Sequence, residues 1–153
     1  MKHWRLTILT ALTLCVACSK GRVYHHYNHT PIAGWEKIDT LSYNVPPLAE
    51  RGRYDTALGL RINSLFPFVS LTLIVEQTVF PSMKQQKDTI NCKLVDGNGN
   101  FKGHGISSYQ YRYPVSQMQL QRGDSLHITV RHDMRREILP GISDVGIALT
   151  KLD

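Results

Sequence analysis

The chain has 153 residues, 18 lysines and arginines against 12 aspartates and glutamates for a formal charge of +6, 42% hydrophobic residues and three cysteines. That length holds one ordinary hydrophobic core and is short for two. Three cysteines exclude a disulfide-stapled scaffold, and basic residues scattered along the chain, with only Arg135 and Arg136 adjacent, exclude a nucleic-acid stripe.

The first predicted element, residues 1–17, has the layout of a secretory signal. Lys2 and Arg5 open it, Leu6 to Val16 form an apolar run too short to span a bilayer as a helix, and small Ala17 precedes Cys18. Cys15-Val16-Ala17-Cys18 resembles a lipobox, in which the final cysteine is acylated, although leucine is usual where Cys15 stands. Cleavage before Cys18 leaves Cys92 as the one free thiol and lowers the charge to +4. Residues 18–34, rich in Gly, His, Asn, Thr and Pro, read as a lipidated cysteine and a flexible tether. Such a chain would hold a domain roughly 20 to 25 Å from its anchor on average.

Residues 35–153 show alternation with period two, the pattern of strands with one buried face. A strand is expected around Ile38 to Val45. Tyr54, Thr56, Leu58, Leu60 and Ile62 then share one face, followed by Leu71, Leu73 and Val75, and by Ile90, Cys92 and Leu94. A further strand runs around Tyr109 to Val115; Leu126, Ile128 and Val130 mark the next, and Val145, Ile147 and Leu149 the last. Turn residues separate them: Pro46-Pro47, Phe66-Pro67, Asp96-Gly97-Asn98-Gly99, Arg122-Gly123-Asp124 and Pro140-Gly141. Residues 134–139 are read as one helical turn stopped by Pro140. Seven or eight short strands predict an all-β, antiparallel β-sandwich of immunoglobulin-like or jelly-roll type, a single domain behind the signal and tether.

Chemistry is sparse. The sequence has no Gly-x-Ser-x-Gly turn, no phosphate-cradling glycine loop and no His-Glu-x-x-His helix. Cys92, between Ile90 and Leu94, is expected to be buried and inert. Asp96-Gly97-Asn98-Gly99 opens like a calcium loop, but the twelfth position is Ser107 where a bidentate glutamate is needed, so a hairpin turn is the better reading. His25, His26 and His29 lack a completing carboxylate or thiolate nearby, so no metal or cofactor is expected. Asp88, Asp96, His104 and His132 show no spacing that requires an active site. Tyr109, Tyr111 and Tyr113 fall on one face of a strand and make either a ligand platform or part of the core.

Several segments carry a resemblance. Arg61-Ile62-Asn63 with Phe66-Pro67-Phe68-Val69-Ser70-Leu71-Thr72-Leu73, Asp88-Thr89-Ile90 with Leu94-Val95-Asp96 and Gly99, and Gly103-His104-Gly105 are similar to the gliding motility lipoprotein GldH family. The most specific piece runs from Met134-Arg135-Arg136 through Gly141-Ile142 to Asp144-Val145-Gly146-Ile147; Phe101 departs from the pattern, where tryptophan is expected.

The resemblance implies a Bacteroidota source and a cell-envelope lipoprotein that supports gliding or the linked type IX secretion apparatus through protein contacts. It brings no enzyme activity and no cofactor. Met134, Arg135, Arg136 and Asp144 are the candidate partner-binding residues, because turn-rich segments collect binding residues. A glycan- or peptidoglycan-binding module built on Tyr109, Tyr111 and Tyr113 is the alternative. Acidic sorting residues are absent after Cys18, where Ser19-Lys20-Gly21-Arg22 follows, so the expected location is the outer membrane, facing the periplasm.

Overall fold

A computed structural model describes residues 21–152. The predicted signal peptide and Cys18 lie outside the described residues. The strands are β1 (Arg22–His29), β2 (Trp35–Glu36), β3 (Leu41–Val45), β4 (Gly52–Asn63), β5 (Ser70–Phe80), β6 (Lys84–Lys93), β7 (Ser108–Leu120), β8 (Ser125–His132), β9 (Ile138–Leu139) and β10 (Ile142–Lys151).

Antiparallel pairs nest around the β5–β6 hairpin: β4 pairs with β7, β3 with β8, and β1 with β10. Rolling that nested ribbon over gives two four-stranded sheets, β1-β10-β4-β7 and β3-β8-β5-β6. This is the jelly-roll order, which decides between the two expected sandwich types. A two-stranded sheet of β2 and β9 closes one end.

The alternating residues make the core as the pattern predicts. Leu58, Leu60, Ile62, Val145, Ile147 and Leu149 from the first sheet meet Leu71, Leu73, Val75, Leu126, Ile128 and Val130 from the second, all buried. Gln77 interrupts the apolar face of β5 without leaving an unpaired group. Thr56 Oγ1 donates to its Oε1 at 2.9 Å, and its Nε2 donates to Ser116 Oγ at 2.8 Å. Such a satisfied network specifies the facing of the sheets at little cost.

Trp35 and His132 fill the closed end. Both are fully buried, with ring centroids 5.3 Å apart, and Trp35 Nε1 donates to the Asp39 carbonyl at 2.9 Å.

Two sequence expectations are corrected. Residues 22–29, read as tether, form the edge strand β1, whose Tyr24 to His29 pair with Leu149 to Asp144 of β10. Residues 134–139, read as a helical turn, are a bend leading into β9, because Leu139 and Ile138 pair with Trp35 and Glu36.

Candidate functional site

The outer face of the first sheet is recessed. Its two central strands carry only small outward residues at mid-length: Ala57 and Gly59 on β4, and Gly146 and Ala148 on β10. Longer side chains rise on either side, His25 and Tyr27 from β1 and Gln110 and Arg112 from β7, leaving an open groove of about 560 Å³. Lys93, at the end of β6, and Lys102 and His104, from the loop before β7, border the same space. The bridge between His104 and Gln110 ties that loop to the β7 edge.

Tyr27 is held by the shape of the floor. A Cβ on Gly146 would come within 2.7 Å of the Tyr27 ring, and a Cβ on Gly59 would also collide with it. The Arg61 guanidinium stacks at 4.0 Å from the ring centroid, and Gln110 Nε2 donates to the phenol oxygen at 3.3 Å. Arg61 also reaches Asp144 at 3.8 Å, and His29 Nδ1 pairs with the same carboxylate. Asp144 therefore acts inside the fold, joining β1, β4 and β10.

The electrostatics of the groove are one-sided. Arg22, Lys93, Lys102 and Arg112 border it, and no aspartate or glutamate does. Arg22 lies 3.3 Å from His25 Nδ1, which makes that nitrogen the acceptor. Partial burial, then the charges of Arg22, Arg61, Arg112 and His26, hold the His25 imidazole below its ordinary pKa.

A second surface forms at the end closed by β2 and β9. Four loops meet there through backbone bonds: Lys37 N to Glu137 O, Asn63 N to Gly141 O, Leu94 N to Val69 O and Asp133 N to Thr72 O. Arg135 and Arg136 are exposed on it. Ile32, Ile38, Leu65 and Val69 are also exposed, each by 65% or more. Met134 is turned inward, its Sδ 3.4 Å from the Thr72 amide that donates to it. Of the four residues grouped from sequence, only the two arginines stand free on this end.

The tyrosine trio does share one face, and that face is the inner one. Tyr109, Tyr111 and Tyr113 lie opposite the buried Ile62, Leu60 and Leu58. Tyr111 donates to the Leu94 carbonyl at 2.7 Å, Tyr113 to that of Lys93 at 2.9 Å, and Tyr109 stacks on Phe101 with centroids 4.3 Å apart. They span the gap between β7 and the end of β6, and only parts of Tyr111 and Tyr113 reach the groove. Burial holds the Tyr111 and Tyr113 phenols above their ordinary pKa.

Cys92 is buried, and desolvation pushes its thiol up to about 12. Asp96 Oδ1 accepts the amides of Asn98 and Asn100 at 2.9 and 3.0 Å, which lowers its pKa and commits it to a turn. The three N-terminal histidines are dispersed along β1: His25 borders the groove, His26 meets the Tyr43 ring and His29 pairs with Asp144. Sequence reading missed the groove. Its signal, small residues at matching positions of β4 and β10, becomes meaningful only with the strand order.

Known proteins were compared with this chain. It is 26% identical to "Gliding motility lipoprotein GldH" of Flavobacterium johnsoniae over 153 residues, covering 95% of each. Among solved structures, a family GH115 4-O-methyl-α-glucuronidase is similar with a TM-score of 0.49 and 10% identity, over 92% of this chain and 19% of that one. A family 35 carbohydrate-binding module from Clostridium thermocellum gives 0.41 and 9%, over 86% and 90%. Both likenesses are too distant to carry a functional argument. The family model described as GldH lipoprotein matches residues 22–149, from the first strand to near the end of the last. By that match the chain belongs to the GldH lipoprotein family.

Proposed function

We propose that the protein is a non-catalytic envelope component of the gliding and type IX secretion-linked machinery. In this reading lipid on Cys18 holds it to the periplasmic face of the outer membrane, and it docks a protein partner on the loop end around Arg135 and Arg136. The observation that carries the docking surface is the gathering of exposed Ile32, Ile38, Leu65 and Val69 on loops that meet beside two exposed arginines. Single exposed aliphatic residues are ordinary, whereas a group of them on one face marks an interaction site. Arginine is also favoured at protein interfaces.

Orientation supports the same reading. Arg22 pairs with Thr150 and Gly21 O accepts the Lys151 amide, so the chain enters the sandwich at the end opposite the arginines. Only residues 19–21 separate Cys18 from β1. Three residues reach about 10 Å at most, and the ten-residue β10 spans roughly 30 Å. Lipid on Cys18 would thus hold the near end against the membrane and present the loop end away from it.

The test is crosslinking in the native envelope. Partners captured by the wild-type lipoprotein should be lost with Arg135→Ala/Arg136→Ala and with Ile38→Asp, while yield and thermal midpoint stay unchanged. Unchanged capture by both variants removes the loop end as the docking surface.

A further inference from the structure

The groove on the outer face of the first sheet shares the loop before β7 with the loop end, but it is lined by neither Arg135 and Arg136 nor the exposed aliphatic residues there, and it stands on its own observations. Its volume of about 560 Å³ falls within the range of small-ligand sites. The recess follows from residue size, because Ala57, Gly59, Gly146 and Ala148 leave the middle of the sheet bare while long side chains rise beside it. It is preformed: the floor is backbone of two paired central strands, and Tyr27 is pinned against it by Arg61 and Gln110.

Charge says what would fill it. Four cationic side chains converge from β1, β6, the loop before β7, and β7. Of these four, only Arg112 has a carboxylate of the described residues within ion-pair distance, Asp55 at 4.0 Å, and that guanidinium remains largely exposed. Surface charge serving solubility alone mixes both signs, whereas like charges gathered around one recess repel until an anion joins them. Arg61, by contrast, is already balanced by Asp144.

We propose that this groove is a binding site for an acidic ligand, whose phosphate or carboxylate groups engage Arg22, Lys93, Lys102 and Arg112, with Gln110 and the Tyr27 hydroxyl as neutral hydrogen-bonding partners. Arginine presents a fork that matches either anion. A soluble acidic saccharide or phosphate and an anionic lipid headgroup share this chemistry. His25 is the built-in reporter: partial burial and then the charges of Arg22, Arg61, Arg112 and His26 hold its pKa down, so an anion placed among those cations offsets the charge contribution and moves that pKa up.

The experiment uses Ser19 to Asp153, which contains every strand of the sandwich and carries no acyl group. Calorimetry is run with pyrophosphate and with tetragalacturonate, at low and moderate salt, with neutral maltotetraose as control. Vesicles of phosphatidylcholine, with and without phosphatidylglycerol, form a parallel arm. Expected are salt-sensitive binding of at least one acidic probe, none of maltotetraose, an upward shift of the His25 pKa in NMR titration, and tenfold or greater weakening in Lys102→Ala/Arg112→Ala. These exposed side chains can be removed without touching the core, and an unchanged thermal midpoint checks this. Binding of phosphatidylglycerol vesicles through the same residues assigns the ligand to a lipid headgroup; binding of soluble probes alone assigns it to a soluble anion. Absence of binding to every acidic probe at millimolar concentration, or equal binding by the variant, overturns the site. Neither result bears on docking at Arg135 and Arg136.

Discussion

His132 shows how one side chain joins strand, core and pH response. Its Nε2 lies 3.1 Å from the Trp35 carbonyl and its Nδ1 3.4 Å from the Met134 amide. A carbonyl at one nitrogen and an N–H at the other require the neutral Nε2–H tautomer. Burial holds its pKa below the ordinary value. An unfolded histidine titrates near 6.5, so this contribution to stability is complete above that pH and is lost as pH falls toward the lower folded value. Urea midpoints should drop between pH 7.5 and pH 5.5, and His132→Gln should narrow that difference; an equal drop in the variant would assign it to other groups. Gly146 gives a second test, because a Cβ there would collide with the Tyr27 ring. Gly146→Ala is expected to cost about 1 to 2 kcal/mol through forced displacement and almost nothing in a Tyr27→Ala background. Additive costs in that double-mutant cycle would mean that Tyr27 does not rest on the floor.

At the scale of elements, β1 matters most, because it is the edge that covers β10 and supplies one wall of the groove. Its sequence, Arg-Val-Tyr-His-His-Tyr-Asn-His, is polar on both faces, which is tolerated in an edge strand. Strand pairing predicts that β1 amides bonded to β10 resist hydrogen exchange, in alternation along residues 24–29; uniform fast exchange would return this stretch to a tether. The loop end depends on Gly141, whose φ of +83° and close approach to the Phe66 backbone leave no room for a Cβ. Gly141→Ala should therefore lower the thermal midpoint and shift NMR signals in the loop after β4, with a cost on the order of 1 to 3 kcal/mol.

For the whole molecule, nested pairing places the chain entry and the loop end at opposite poles. Residues 121–124 share the entry pole, since Leu120 pairs with Gly52 and Leu48 bonds Asp124. With Cys18 lipidated, a fluorophore at Arg122→Cys should transfer energy strongly to an acceptor in the vesicle surface, and one at Arg136→Cys weakly. Buried Cys92 should not compete for the label. Equal transfer from both positions would sink the proposed orientation.

The sequence by itself determined the sandwich, because each central strand has one apolar face and the period of two survives any choice of partner: Leu58, Leu60 and Ile62 are buried wherever β4 sits. It also determined the family, through contiguous segments such as Met134 to Ile147, and the burial of Cys92 between Ile90 and Leu94. Strand order was not legible, since the nested pairs join residues far apart in the chain, by more than a hundred positions in the case of Tyr27 and Gly146. Without that order β1 lacked any apolar signature and read as linker. The tyrosine trio could equally face outward or inward until β7 was set against β4. The groove was invisible for the same reason: its floor is defined by side chains that are missing, on two strands far apart in the chain, and its charge by cations from four segments. Tertiary structure alone decided these points, because each depends on which residues face one another across the sheet.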